Sequence, residues 1–330
     1  MINFLGEPAL FSENIKTMLN GNKPFFMSRV GGSDTDAVID YLAAKKDPTG
    51  VSLDLHLSEY LPIASRYNGF YAKSAERDNY FKYLDVLVAC YKALTVGTVC
   101  NAKLLSLYFP RIIPKSQRVY PEAVENTSDF FEYISDPWRK LDLFPYNRIE
   151  NLGSDHTLIK ALASSLGGKR VLVVSPFAES IKANFHRRHQ FFKEIKYPDF
   201  DVAVVNTPIT YQGLPDELYP HENWLETAGH LQELIRRESF DVALLSCGSY
   251  ALPIGEFIKS TMGRKAIYVG GVLQLLFGIM GRRYENIFFT QHLNLDSFIY
   301  PVEREKYLAG KNIPESMAKE AFGAYFKGVV

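Results

Sequence analysis

The chain has 330 residues, with 37 Lys and Arg against 37 Asp and Glu, and 47% of its residues are hydrophobic. That length is enough to bury a sizeable core, and the balanced charge gives no global field for capturing nucleic acid or acidic lipid, so no nucleic-acid partner is expected. Cys90, Cys100 and Cys247 show neither a CxxC pair nor a His/Cys metal spacing, which excludes a disulfide scaffold and a zinc module and fits a reducing compartment.

The opening "MINFLGEPALFSENIK" lacks the basic segment and apolar stretch of a signal peptide. No apolar run reaches the roughly 18–20 residues of a membrane span. The longest candidate, "AIYVGGVLQLLFGIMG", is broken by glycines and reads as a buried strand and helix. These features lead to an expectation of cytoplasmic residence. Association with the inner membrane face and homo-oligomerisation stay open.

In chain order, a helix is expected over residues 11–20 and a strand over Pro24–Arg29. There follows "GGSDTDAVIDYL", in which two glycines and two acids stand where the strand hands over to a helix. "RDNYFKYLDVLVACYKAL" (Arg77–Leu94) has strong helical spacing, and "LTVGTVCNA" reads as a further strand. Signals weaken from Leu104 to Asn151, where prolines at 110, 114, 121, 137 and 145 punctuate short elements. "ENLGSDHTLIKALASSLGGK" carries a helix closed by Gly167-Gly168.

Beyond it the pattern is regular. "KRVLVVSPF", "DFDVAVVNTPIT", "FDVALLSCGSY" and "KAIYVGG" are short β-branched or apolar strands. They alternate with helices in "AESIKANFHRRHQFFKEI", in "NWLETAGHLQELIRRES" with Asn223 as cap, and in "ALPIGEFIKSTMG". Such alternation predicts an α/β, Rossmann-like fold, with a mostly parallel sheet covered by helices on both faces. The expected organisation is one domain over 1–330, a helix-rich insertion over 51–150 and the most regular βαβ portion over 169–290.

Ligands of doubly wound sheets bind beyond the carboxyl ends of the strands. The candidate turns are therefore "RVGGSDTD", "SPFAES", "NTPITYQG", "CGSY" and "GGVLQ", all rich in the small residues that expose backbone N–H groups to phosphate. Small residues also serve there simply to turn the chain. In the first turn Gly31 and Gly32 permit close approach of a ligand, and Arg29 can clamp a phosphate oxygen. Asp34 and Asp36 offer hard oxygen donors for Mg²⁺ or Mn²⁺. The same "SDTD" fits a capping box with Ser33 as cap and Asp36 as its partner acid, and both roles can coexist.

Glu179 is a candidate general base or a helix-start acid. Ser175, Ser180, Thr207, Gly248, Ser249, Tyr250, Gly270, Gly271 and Gln274 complete the expected binding set, and the "RRY" at Arg282–Tyr284 is placed to help hold a diphosphate. Cys247 has no nearby base in sequence and reads as a packing residue. "CGSY" is not a G-x-S-x-G elbow and "YVGGVLQ" is not G-x-G-x-x-G, so neither an α/β-hydrolase nor a conventional NAD site is supported.

"SRVGGSDTDAV" resembles the R-x-G-D-G-E type motif near the N-terminus of GT-D-fold bacterial glycosyltransferases. "FDVALLSCGSYALPIGEFIKSTMGRKAIYVGG" resembles that family's closing unit, where an "ALGP"-like and an "IDIGH"-like turn line the nucleotide-sugar cleft. The resemblance covers Phe25–Leu42 and most of Lys169–Tyr284. It implies sugar transfer from a nucleotide-sugar co-substrate to a glycan acceptor in bacterial surface polysaccharide or glycoprotein assembly, with an acidic pair near a divalent cation.

Arg29, Gly31 and Gly32 match the motif. A strict alignment puts Ser33 and Thr35 at its acids, and a one-residue slip restores a pair as Asp34 and Asp36. That departure implies either a metal-independent relative or a displaced acidic pair. Gly271 stands near the place of the motif's histidine. Two other readings remain: another glycan-modifying transferase, such as a pyruvyl transferase, and a non-catalytic nucleotide- or sugar-binding protein.

Overall fold

The computed structural model describes residues 2–4, 8–99, 127–134, 141–145, 157–285 and 288–329. Cys100 and most of the proline-punctuated stretch between Leu104 and Asn151 lie outside the described residues.

The chain begins with β1 (Ile2–Phe4), α1 (Pro8–Asn20), β2 (Phe25–Val30), α2 (Gly32–Ala44) and α3 (Val51–Ile63). A single π-helical turn, Ala64–Asn68, closes α3 just past Pro62. Then come α4 (Glu76–Lys92), β3 (Val96–Val99), α5 (Thr127–Ile134), β4 (Leu141–Pro145) and α6 (Thr157–Ser164). The regular portion follows as β5 (Arg170–Ser175), α7 (Ala178–Asn184), β6 (Asp201–Asn206), α8 (Trp224–Arg236), β7 (Val242–Leu245), α9 (Ala251–Ser260) and β8 (Lys265–Tyr268). Three short helices end the chain: α10 (Leu273–Leu276), α11 (Arg304–Leu308) and α12 (Glu315–Phe322).

All eight strands join one sheet in the order β1-β4-β3-β2-β8-β7-β5-β6, and every pairing is parallel. The burial explains the apolar runs in the sequence. Every residue of β3 and β7 is buried, as is every residue of β5 after Arg170. A parallel strand covered on both faces has no polar side to show. The stretch 51–150 supplies α3, α4 and α5, and it also contributes β3 and β4 to the sheet.

Helix packing follows from particular side chains. Asn223 caps α8, its Oδ1 accepting the Glu226 N–H at 3.0 Å while Glu226 Oε1 accepts from Asn223 Nδ2 at 2.9 Å. The expected helix over "AESIKANFHRRHQFFKEI" is shorter: α7 stops at Asn184 and a 3₁₀ turn spans Phe185–Gln190. The cause is tertiary. Buried Asn184 donates to the Gly278 and Ser297 carbonyls at 2.9 and 3.0 Å, and the tighter turn delivers Phe191 into the core.

The topology places a cleft. From β2 the chain moves outward to β3 and β4, whereas β8 sits on the other side of β2. From β5 it moves outward to β6 and then recrosses to β7 and β8. Successive connections diverge at β2/β8 and at β5/β7. Divergence of this kind opens a crevice at the carboxyl edge of an open sheet.

Candidate functional site

The turns after β2, β5, β6, β7 and β8 meet at that edge around a cleft with two lobes. One lobe, of about 160 Å³, is lined by Pro176, Pro208, Gly248, Tyr250, Gly270 and Gly271, with Arg66 and Arg283 at its sides. The other, of about 390 Å³, is lined by Gly31, Gly32, Ser33 and Asp34. Arg29, Tyr67, Asn68 and Tyr268 line both lobes and form the passage between them.

The first turn forms differently from the expected capping box. Helix α2 starts at Gly32, Gly31 occupies the cap position in extended conformation, and no side chain caps it. Gly32 has φ of +56°, a conformation glycine adopts without a Cβ penalty. Ser33 therefore does not cap: its hydroxyl donates to Asn68 Oδ1 at 2.9 Å. Ser249 Oγ, from the turn after β7, donates to the Asn68 carbonyl at 2.7 Å. Thr210 Oγ1, from the turn after β6, donates to the Gly69 carbonyl at 2.5 Å. The π-helical turn thus ties three strand-end turns together and holds Arg66 and Tyr67 at the cleft mouth.

Asp34 and Asp36 lie two positions apart on a helix, so their side chains point to different sides of it. Asp34 lines the cleft. Asp36 is not among the lining residues, and its charge is felt at the Tyr60 hydroxyl of α3. Crowding by the cleft walls raises the Asp34 carboxyl from its ordinary 3.8 to about 7, against the opposing pull of the Arg29 guanidinium and its own backbone N–H. Among the described residues no three His, Cys, Asp or Glu side chains converge. Mg²⁺ in phosphate sites is commonly held by one or two carboxylates together with substrate phosphates, and of the expected pair only Asp34 is among the lining residues. Asp34 and Asp36 therefore do not form a two-carboxylate site for that ion.

Positive charge gathers against the turn after β8. Gly270 has φ of +74°, and a Cβ there would lie 2.7 Å from Arg29 Nη1. A Cβ on Gly271 would lie 1.6 Å from Arg283 Nη2. Both guanidiniums rest on this two-glycine turn. Arg283 is positioned by the Tyr284 and Tyr325 rings, at 4.8 and 5.2 Å, and donates to Gln274 Oε1 at 3.3 Å. Arg29 lies 5.7 Å from the centre of the Tyr268 ring. Arg66 stands 3.9 Å from Glu320 of α12.

Other expected residues serve the scaffold. Glu179 is exposed, 3.4 Å from Lys182, and does not line the cleft. Ser175 is buried and accepts the Phe177 N–H. Ser180 is buried against Glu303, whose carboxylate accepts from its N–H at 3.0 Å and its hydroxyl at 2.5 Å. An internal carboxylate thus fills the place a phosphate was expected to take. Thr207, Ser249 and Gln274 are likewise buried behind the lining. Tyr250 lines the cleft and stacks on Trp224 at 5.0 Å. Cys247 lines it too, and burial pushes its thiol far above the usual range, which suits packing rather than nucleophilic attack.

Comparison with known proteins gives a limited set of likenesses. No family model and no curated protein matches the chain. The chain is similar in fold to glycosyltransferase-fold proteins. One solved structure, described as the highly conserved domain of unknown function 1792 with a distinct glycosyltransferase fold, is 13% identical with a TM-score of 0.43, over 82% of this chain and 79% of that one. Another, described as a new glycosyltransferase from Streptococcus sanguinis, is 11% identical with a TM-score of 0.44, over 82% of each chain. A third, a selenomethionine-substituted structure of the same domain type, is 12% identical with a TM-score of 0.42, over 93% of this chain and 95% of that one.

Sequence reasoning missed Arg66, Tyr67, Asn68, Tyr268 and Tyr325 as lining residues. "SRYNG" held one available signal, an exposed Arg-Tyr pair before a glycine that ends a helix. Tyr325 belongs to the C-terminal segment, and only the fold brings it to the cleft.

Proposed function

We propose that this protein is a glycosyltransferase that moves a sugar from a nucleotide-sugar donor to a glycan acceptor in bacterial surface polysaccharide or glycoprotein assembly. The observation that carries the reading is the convergence of five strand-end turns on one cleft whose lining has three arginines and one carboxylate. The resemblance of "SRVGGSDTDAV" to the GT-D motif supplies the reaction class.

The division of charge suggests a division of labour. The donor diphosphate lies in the arginine-lined lobe, against the turns at Gly248 and Gly270–Gly271. The acceptor enters the lobe of Gly31–Asp34. The acceptor hydroxyl oxygen attacks the anomeric carbon, its proton passes to the Asp34 carboxylate, and the bond from that carbon to the diphosphate oxygen breaks. The departing nucleoside diphosphate keeps the electron pair, and fixed positive charge stabilises it. Tyr67 and Tyr268, at the passage between lobes, offer ring faces to a sugar.

Release of nucleotide (UDP, GDP or CMP) from a panel of UDP-, GDP- and CMP-sugars, with and without candidate glycan acceptors, tests the reading. Turnover with one donor supports it. Binding of phosphoenolpyruvate with no response to any nucleotide would replace it with the pyruvyl-transfer reading.

A further inference from the structure

We infer that the Arg29–Arg283 pair, seated on the Gly270–Gly271 turn, neutralises the donor diphosphate in place of a carboxylate-held divalent cation. This rests on the nucleotide-sugar reading and adds the means by which the site holds charge.

Three observations carry it. The acidic pair is split: Asp34 is among the cleft's lining residues and Asp36 is not, its charge being felt at Tyr60 of α3. A cation at this site would therefore rest on one carboxylate and the phosphates themselves, with no second acid to fix it. Second, the turn is shaped around guanidiniums. A side chain on either glycine would collide with Arg29 or Arg283.

Third, Arg283 is held before any ligand arrives. Tyr284 and Tyr325 flank its guanidinium, and buried Gln274 accepts from it. A guanidinium keeps its charge and presents several donors in a fixed plane, so it can grip phosphate oxygens bidentately. Arg29 comes from the end of β2 and Arg283 from the segment beyond β8. Two separate elements therefore close on the same anion.

Calorimetric titration with UDP and with GDP tests this, in buffer containing EDTA and in buffer containing Mn²⁺. The expected result is binding of one nucleotide with an affinity that differs less than about threefold between the two buffers. Arg283→Ala should weaken it on the order of 10- to 100-fold in both buffers. Gly271→Ala, which keeps every charge but displaces the guanidinium, should also weaken it, and Arg283→Lys should not restore it. Melting curves check that each variant is folded. Because Arg283→Ala also removes packing on Tyr284 and Tyr325, the buffer comparison on the unaltered protein is the variant-free arm. Binding only with Mn²⁺ overturns the inference and leaves the nucleotide reading standing. Unchanged binding by folded Arg283→Ala overturns the assignment of the pair. No binding of either nucleotide in either buffer overturns both.

Discussion

Asp34 is the residue at which stability and chemistry pull in opposite directions. Its carboxyl titrates near 7 in the folded protein and near 3.8 in the unfolded chain. Between those values the folded state holds a proton that the unfolded state has released, so raising the pH through this window lowers stability. Asp34→Asn removes the effect. The variant should melt with the parent near pH 4 and above it at pH 8, by on the order of 1–2 kcal/mol after solvent screening. Transfer should rise with pH through about 7 in the parent and fall on the order of 100-fold or more in the variant. Melting curves across pH, paired with rates, check both; a variant less stable at pH 8 would contradict the assignment.

Glu303 is the opposite kind of residue. It holds the Ser180 N–H and hydroxyl inside the protein. Glu303→Ala should cost about 2–3 kcal/mol by leaving buried donors unpaired, with nucleotide affinity unchanged, as denaturant melts and calorimetry would show. At this scale the sequence was half legible. Arg29 near the end of β2, and Gly31, Gly32, Asp34, Gly248, Tyr250, Gly270 and Gly271 after strand ends, do line the cleft. Ser180 and Thr207 follow strand ends too, but tertiary partners bury them, and burial does not show in a local pattern.

Among the elements, the strands and helices of the C-terminal half were the most readable. Short apolar runs bounded by turn residues fixed β5 to β8, and Asn223 marked the start of α8 as a cap should. Elements governed by distant contacts were not readable. Helix α7 ends early because Asn184 bonds to two remote carbonyls, and β1, three residues long, takes its place by pairing with β4. The position of α9 depends on Gly255, where a Cβ would lie 2.0 Å from the Phe26 ring of β2. Gly255→Ala should therefore destabilise the protein by about 1–3 kcal/mol through overpacking. Because β2 carries Arg29, nucleotide affinity should fall as well. Chemical denaturation and titration of the same preparation would show whether the two losses come together.

For the whole molecule, the parallel sheet does the gathering. Since every strand runs the same way, every strand-end turn opens on one edge, and connections that diverge at β2/β8 and β5/β7 leave room between them. The C-terminal segment then supplies a wall that no strand pattern announces: Ala321 and Tyr325 line the cleft, and Arg283 lies against Tyr325. Among the described residues no helix is long and apolar enough to cross a membrane. A second cavity of about 390 Å³, lined by His230, Lys306 and Lys311 beyond the end of β6, is the natural competitor for an anionic ligand. A crystal structure of the protein soaked with UDP discriminates the two sites. The expected result is a diphosphate against Gly270–Gly271 within hydrogen-bond distance of the Arg29 and Arg283 guanidiniums. A nucleotide seated beside His230 and Lys306, or none at saturating UDP, would contradict the account.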